Sequence, residues 1–242
     1  MQKGKKKKII IALSCAALIA ALIVIYFPRR IFHKPVSALL ESSDGKLLGA
    51  RIASDGQWRF PQIDTVPDKF ARAIITYEDK RFKYHLGVDP IAIGRAIVLN
   101  IRKRDIRSGA STITMQTIRL SRENRPRTIG EKIIEMLLAV RLELRYSKTR
   151  ILAMYASNAP FGGNVVGLEA ASWRYFGRPA GELSWAESAM LAVLPNSPAL
   201  IHPGKNRDIL LEKRNRLLDK MASKGIIDAT ECILSKEEPL PD

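Results

Sequence analysis

Two glutamates and a run of cations are the residues of this 242-residue chain best suited to chemistry. Glu78, followed by Asp79, closes a predicted helix whose apolar stripe is Phe70, Ala73, Ile74 and Tyr77, the spacing of a helix face. A carboxylate there meets the negative end of the helix dipole and costs a little stability. That cost invites a functional explanation, with an exposed helix-end carboxylate as the plain alternative. Glu135 stands three residues after Lys132, so the two share a helix face, either as a simple ion pair or as part of a site. Between Arg95 and Arg127 nine arginines and lysines stand against only Asp105 and Glu123. A field of one sign suits an anionic partner such as phosphates, nucleic acid or acidic lipid headgroups. Attraction to a membrane surface alone is the simpler alternative.

The elements that must position these groups begin with an address. Ile9 to Phe27 is a nineteen-residue apolar run behind Lys3, Lys5, Lys6, Lys7 and Lys8. As a helix it is roughly 28 Å long, about the thickness of a bilayer core. The lysines stay cytoplasmic, so the remaining 215 or so residues are exported. A cleaved signal peptide is the rival, but its apolar region usually runs about 7–15 residues. The expected organisation is therefore a basic tail at 1–8, a transmembrane anchor at 9–27, a juxtamembrane segment at 28–60, one domain at 61–230, and a C-terminal tail or truncated linker at 231–242. Such an address makes nucleic acid an unsuitable partner. Of the net charge of +16, seven positive charges lie within residues 1–30.

Composition closes off other classes. Cys15 and Cys232 are the only cysteines, and one lies in the apolar run, so no disulfide framework is available. Three scattered histidines give no structural zinc pattern, and no phosphate-binding glycine loop or dinucleotide fingerprint is present. Ser43-Asp44-Gly45-Lys46 and Asp55-Gly56 read as turns in short β structure. Helices dominate from Pro67 onward. Thr128 to Glu131 reads as a capping box with Glu131 reaching back, ahead of a densely apolar helix expected to be buried on most sides. Ser147 caps the next helix, which stops at Pro160. Further helices are expected near Glu169–Tyr175, Trp185–Val193 and Asp208–Ser223. The fold class is mainly α, with a small β-containing lead-in segment.

Four ordered segments carry a resemblance: Glu78-Asp79-Lys80-Arg81-Phe82-Lys83-Tyr84-His85-Leu86-Gly87, Ser108-Gly109-Ala110-Ser111-Thr112-Ile113-Thr114-Met115-Gln116, the Lys132/Glu135 helix, and Asn158-Ala159-Pro160-Phe161-Gly162-Gly163. Together, over roughly residues 36 to 225, they resemble the peptidoglycan glycosyltransferase domain of family 51, found in class A penicillin-binding proteins and in monofunctional transglycosylases. Leu194-Pro195-Asn196-Ser197-Pro198 brings the likeness nearest to the penicillin-binding protein 1C group. The resemblance implies a lysozyme-like fold and polymerisation of lipid II into β-1,4 glycan strands, with release of undecaprenyl diphosphate. It implies that Glu78 is the general base for the acceptor 4-hydroxyl and that the reaction inverts the anomeric centre. It assigns Arg119, Arg127 and Lys132 to the diphosphate, and Ser111, Thr112 and Gln116 to the donor site. Glu135 becomes the second motif carboxylate, with two roles open: holding Lys132 and a divalent cation (Mg or Mn), or orienting the diphosphate. The metal ligands themselves stay unknown. The implied partners are lipid II, the growing strand, the membrane and other cell-wall synthesis proteins. The implied location is the outer face of the cytoplasmic membrane, single-pass.

Departures from the family pattern bear on turnover. Glu131 stands where the family commonly has arginine, Ala153 replaces a frequent glutamate, and Ser157 a usual asparagine. They motivate a second reading, a catalytically weak membrane-anchored homologue that binds lipid II as a scaffold; a lytic enzyme is a third. No transpeptidase activity is expected.

Overall fold

The computed structural model describes residues 31–103, 110–123, 125–126 and 128–241, together with Ile10, Ile11, Ser14, Cys15 and Leu18; the side chains of residues 97 and 100–103 are excepted. Most of the expected anchor and basic tail, and Arg127, lie outside these residues. Among the described residues no helix is long and apolar enough to cross a membrane.

The lead-in segment makes the first sheet. Strands β1 (Ala38–Glu41) and β2 (Leu47–Arg51) pair antiparallel with a bulge between Leu40 and Glu41. Gly45, at φ +79°, closes the expected turn, a backbone geometry that glycine adopts without steric cost. The second turn returns the chain into β3 (Trp58–Arg59). That strand runs parallel to β4 (Val165–Val166), and this pairing fastens the lead-in segment to the Phe161-Gly162-Gly163 loop.

The rest is mainly helical, as the patterning predicts. Helix α1 (Asp68–Glu78) buries Phe70, Ala73 and Ile74, with Tyr77 half-buried beside them. Then follow α2 (Pro90–Lys103), α3 (Ile113–Ser121), α4 (Ile129–Arg145), α5 (Lys148–Asn158), α6 (Leu168–Phe176), α7 (Trp185–Val193), α8 (Arg207–Ala222) and α9 (Ala229–Glu237). Helix α7 is almost wholly buried, and so is α5 from Ile151 to Ser157. They form the centre of the core, with α1 packed on α7 and α3 packed on α5. Two caps fall where the sequence places them: Thr128 and Ser147 each accept an N–H from the first turn of the helix that follows. Ser184, which the sequence reading did not single out, does the same for α7. The expected domain–tail boundary at residue 230 falls inside α9, whose Cys232 and Ser235 are buried.

Helix α4 departs from expectation. It was read as buried on most sides, yet Ile129, Ile133, Leu137 and Leu144 are exposed. Its packing partners are α3 and α5, both on one flank, so only Glu135, Leu138, Ala139, Arg141 and Leu142 are covered. The capping box is also only half formed. Thr128 Oγ1 accepts the Glu131 N–H at 3.1 Å, but the Glu131 carboxylate turns to Arg122 and Arg125 instead of the cap backbone. Two guanidinium groups attract a carboxylate more strongly than one neutral N–H does.

Candidate active site

Helix α1 ends by sending two adjacent acids in different directions. Asp79 is buried; its carboxylate accepts the Ile113 N–H at 3.0 Å and meets His85 Nε2 at 2.9 and 3.0 Å. One aspartate thus ties the motif loop after α1 to the start of α3. Thr112 completes the tie: it caps α3 through Met115 N and donates its hydroxyl to Gly87 O at 2.5 Å. Expected as a substrate contact, Thr112 is instead buried, with its hydroxyl engaged on both sides, and lies outside the cleft. The residue before it, Ser111, is in the cleft wall.

Glu78 faces the other way, into a cleft of about 510 Å³ lined by Tyr77, Ser111, Gln116, Arg119, Tyr155 and Asn196 among others. Gln116 Nε2 donates to its Oε2 at 2.8 Å. Its Oε1 is buried with no hydrogen-bond partner of good geometry among the described residues, although the Asn196 amide is near enough to favour the charge. Burial raises the Glu78 pKa above the usual carboxylate value, opposed by Gln116, Asn196 and the Arg119 charge. The same enclosure pushes the Tyr77 hydroxyl to about 12, with the Glu78 charge assisting. Tyr155 is fully buried; its phenol has no hydrogen-bond partner among the described residues and is raised by burial first and by Glu78 second. Behind α1, Lys220 donates to Thr76 O and is lowered to about 8 by burial and by Lys80 and Lys224.

Cations line the same cleft. Arg119 and Arg125 both reach the cleft. Glu135, buried on α4, is held by Lys132 Nζ at 3.2 Å and faces Arg119 Nε at 3.9 Å. Lys132 also donates to Ser111 Oγ at 2.6 Å. Ser111, Lys132, Glu135 and Arg119 are thereby joined in one network, and the Arg119 charge acts on the hydrogen-bonded Glu78–Gln116 pair, while Arg127 lies outside the described residues. A larger groove of about 570 Å³ runs behind Phe82, but its one carboxylate, Asp68, is paired with Arg72, so it offers no base. At Glu135 the residues present do not fit a protein-built cation cage. Its carboxylate is shared by two cations, and no three acidic, histidine or cysteine side chains converge among the described residues.

Sequence reasoning missed Asp79, Arg125, Tyr155 and Asn196. Asn196 sits in the Leu-Pro-Asn-Ser-Pro segment, whose likeness was visible without its role. Tyr155 reads as one more apolar residue of α5, because periodicity cannot show that a phenol ends beside a carboxylate.

A partly buried carboxylate opening on a cationic cleft defines a site for acid–base chemistry on an anionic substrate. Comparison with known proteins gives the family: the transglycosylase family model matches residues 44–222, and the chain belongs to that family. It is 39% identical over 200 residues to penicillin-binding protein 1C of Escherichia coli (strain K12), covering 82% of this chain and 26% of that one. It is 36% identical to penicillin-binding protein 1A of Aquifex aeolicus (strain VF5), covering 75% and 25%. A crystal structure of penicillin-binding protein 1A from Haemophilus influenzae aligns with a TM-score of 0.45 at 20% identity, over 86% of this chain and 21% of that one. The chain thus spans about a quarter of the length of these curated relatives.

Proposed function

We propose that this protein is a peptidoglycan glycosyltransferase that polymerises lipid II into β-1,4 glycan strands and releases undecaprenyl diphosphate. One observation carries the reading: among the described residues Glu78 keeps a buried carboxylate oxygen with no hydrogen-bond partner of good geometry, in a cleft that Arg119 and Arg125 also line. A sugar hydroxyl is a weak nucleophile, and a carboxylate with a raised pKa is suited to take its proton as the new bond forms. The acceptor 4-oxygen attacks the anomeric carbon of the donor, inverting it. The bond to diphosphate breaks, and the charge growing on that group is stabilised by Arg119 and Arg125. Gln116 holds Glu78 in place, and Lys132 and Glu135 fix Ser111 and Arg119 from behind.

Two of the three departures that motivate a scaffold reading lie away from the cleft. Ala153 is in the core of α5, and Ser157 accepts the Ile63 N–H at 3.1 Å; neither lines the cleft. The exposed stripe of Ile129, Ile133 and Leu137 suits a lipid surface, in keeping with a substrate held in the bilayer and an anchor at residues 9–27 on the outer face of the cytoplasmic membrane.

The test is polymerisation of labelled lipid II by the purified full chain. Wild type yields glycan strands, and Glu78→Gln loses roughly 10²–10⁴-fold in rate. Equal product from both sinks the assignment of Glu78, and product from neither sinks the activity.

A further inference from the structure

Two carboxylates stand one turn apart on α4, and each is held by two cations. Glu135 has Lys132 and Arg119; Glu131 has Arg122 and Arg125. The two holds on Glu131 are unequal. Arg122 Nη2 reaches both carboxylate oxygens, at 2.9 and 3.2 Å, and its side chain is largely covered. Arg125 reaches only Oε1, at 3.7 Å, and 62% of its side chain is exposed. Yet Arg125 is the one of the two that lines the cleft with Glu78. Nor is the Glu131 carboxylate needed for the helix cap, which Thr128 and the Glu131 backbone complete by themselves.

We propose that Glu131 sets the affinity of the cleft for its anionic substrate: it parks Arg125 at the rim and gives it up to the diphosphate of whatever binds. The diphosphate is the reading of Proposed function, on which this inference rests; the exchange itself needs only a phosphate-type anion. Arg122 stays on Glu131 as a fixed counter-charge, so the carboxylate is never left unpaired when Arg125 swings away. Binding therefore replaces one ion pair with another, and its net gain is smaller than an unpaired Arg125 would give. The same exchange loosens the released lipid diphosphate, because Glu131 reclaims Arg125 as the product departs. Glu131 is a positioning residue here; it touches Arg125 and not the substrate.

The experiment titrates inorganic diphosphate into the purified full chain in detergent micelles, following heat, for wild type, Glu131→Gln, Arg125→Gln and the double variant. Release of Arg125 from its exposed ion pair strengthens anion binding by about two- to fivefold in Glu131→Gln. In the Arg125→Gln background the same change gives less than about twofold, because the parked side chain is gone. With labelled lipid II, KM falls in Glu131→Gln by a similar factor while kcat stays level or drops. Glu131→Asp keeps the charge in the first turn but shortens the reach to Arg125; it binds diphosphate more tightly than wild type and guards against a Gln variant that folds poorly. Unchanged or weaker binding in Glu131→Gln overturns the proposal, as does an equal gain with and without Arg125, or no measurable diphosphate binding in any variant. The titration requires no turnover. Diphosphate exchange without lipid II polymerisation would therefore sink the proposed activity and leave this inference standing, and the reverse result would do the opposite.

Discussion

At the residue scale, the informative feature of Glu78 is what it lacks. Its Oε1 is buried with no hydrogen-bond partner of good geometry among the described residues, and its pKa is raised, with burial the largest cause. A carboxylate whose pKa is raised in the fold destabilises that fold once ionised. The penalty is absent below its ordinary value of 4.5, where folded and unfolded chains are both protonated. It grows as pH rises above that value and is complete above the folded pKa. Glu78→Gln removes the charge and should melt higher than wild type by roughly 2–4 °C at pH 7.5, with the difference shrinking as pH approaches 4.5. Paired thermal melts across pH measure this, and a difference that grows toward acid would refute it. Stability gained by losing a functional group is a common trade in proteins, and it is the outcome expected if Glu78 is the proposed base. Glu78, Gln116 and Arg119 were legible because their motifs have order and spacing. The division of labour between Glu78 and Asp79 was not, because adjacent letters do not reveal which side chain faces a cleft and which a histidine.

At the scale of elements, the loop after α1 is positioned by contact with α4, and Gly87 is the point of contact. Its φ is +82°, and a Cβ there would stand 2.5 Å from Ala139 O and 2.9 Å from Val140 N, both backbone atoms of α4. Neither can yield as a side-chain tip would, so Gly87→Ala faces a strained φ and a clash together. The expected cost is about 2 kcal/mol or more, a fall in Tm of roughly 4–8 °C. Activity should fall further than stability alone explains, because Thr112 donates to Gly87 O and caps the helix that carries Gln116 and Arg119. A variant with wild-type Tm and rate would show that the loop can lift from α4 freely. Helix α4 also shows how far periodicity reaches. Its start at Thr128 and its helical run were readable, but a dense apolar pattern cannot separate a buried helix from one with a bare flank, because both satisfy the same spacing.

At the scale of the whole molecule, charge and length led to one basic domain behind an apolar run, and the closing of that domain was hidden. Arg214 looks like a surface residue of an amphipathic helix, yet it is 1% exposed. A buried arginine is rare unless its donors are taken up. Here they are: the guanidinium donates to Glu238 O at 2.6 Å, Lys236 O at 2.9 Å and Asn215 Oδ1 at 3.0 Å. Arg207 adds bonds to the carbonyls of Leu240 and Pro241, and Ser184, the cap of α7, donates to the Glu238 carboxylate. The chain end expected to be a tail is therefore clasped onto α8 and α7, and α8 in turn packs against α1, which carries Glu78. Arg214→Met fills similar space and removes the donors, stranding the carbonyls of residues 236 and 238. The loss is roughly 3 kcal/mol, or about 6–12 °C in Tm. Hydrogen exchange should locate it: amides of α9 lose protection first, those of α5 last. If the amides of α9 instead keep wild-type protection in this variant, the clasp is only a contact, and the domain closes at α8 without it.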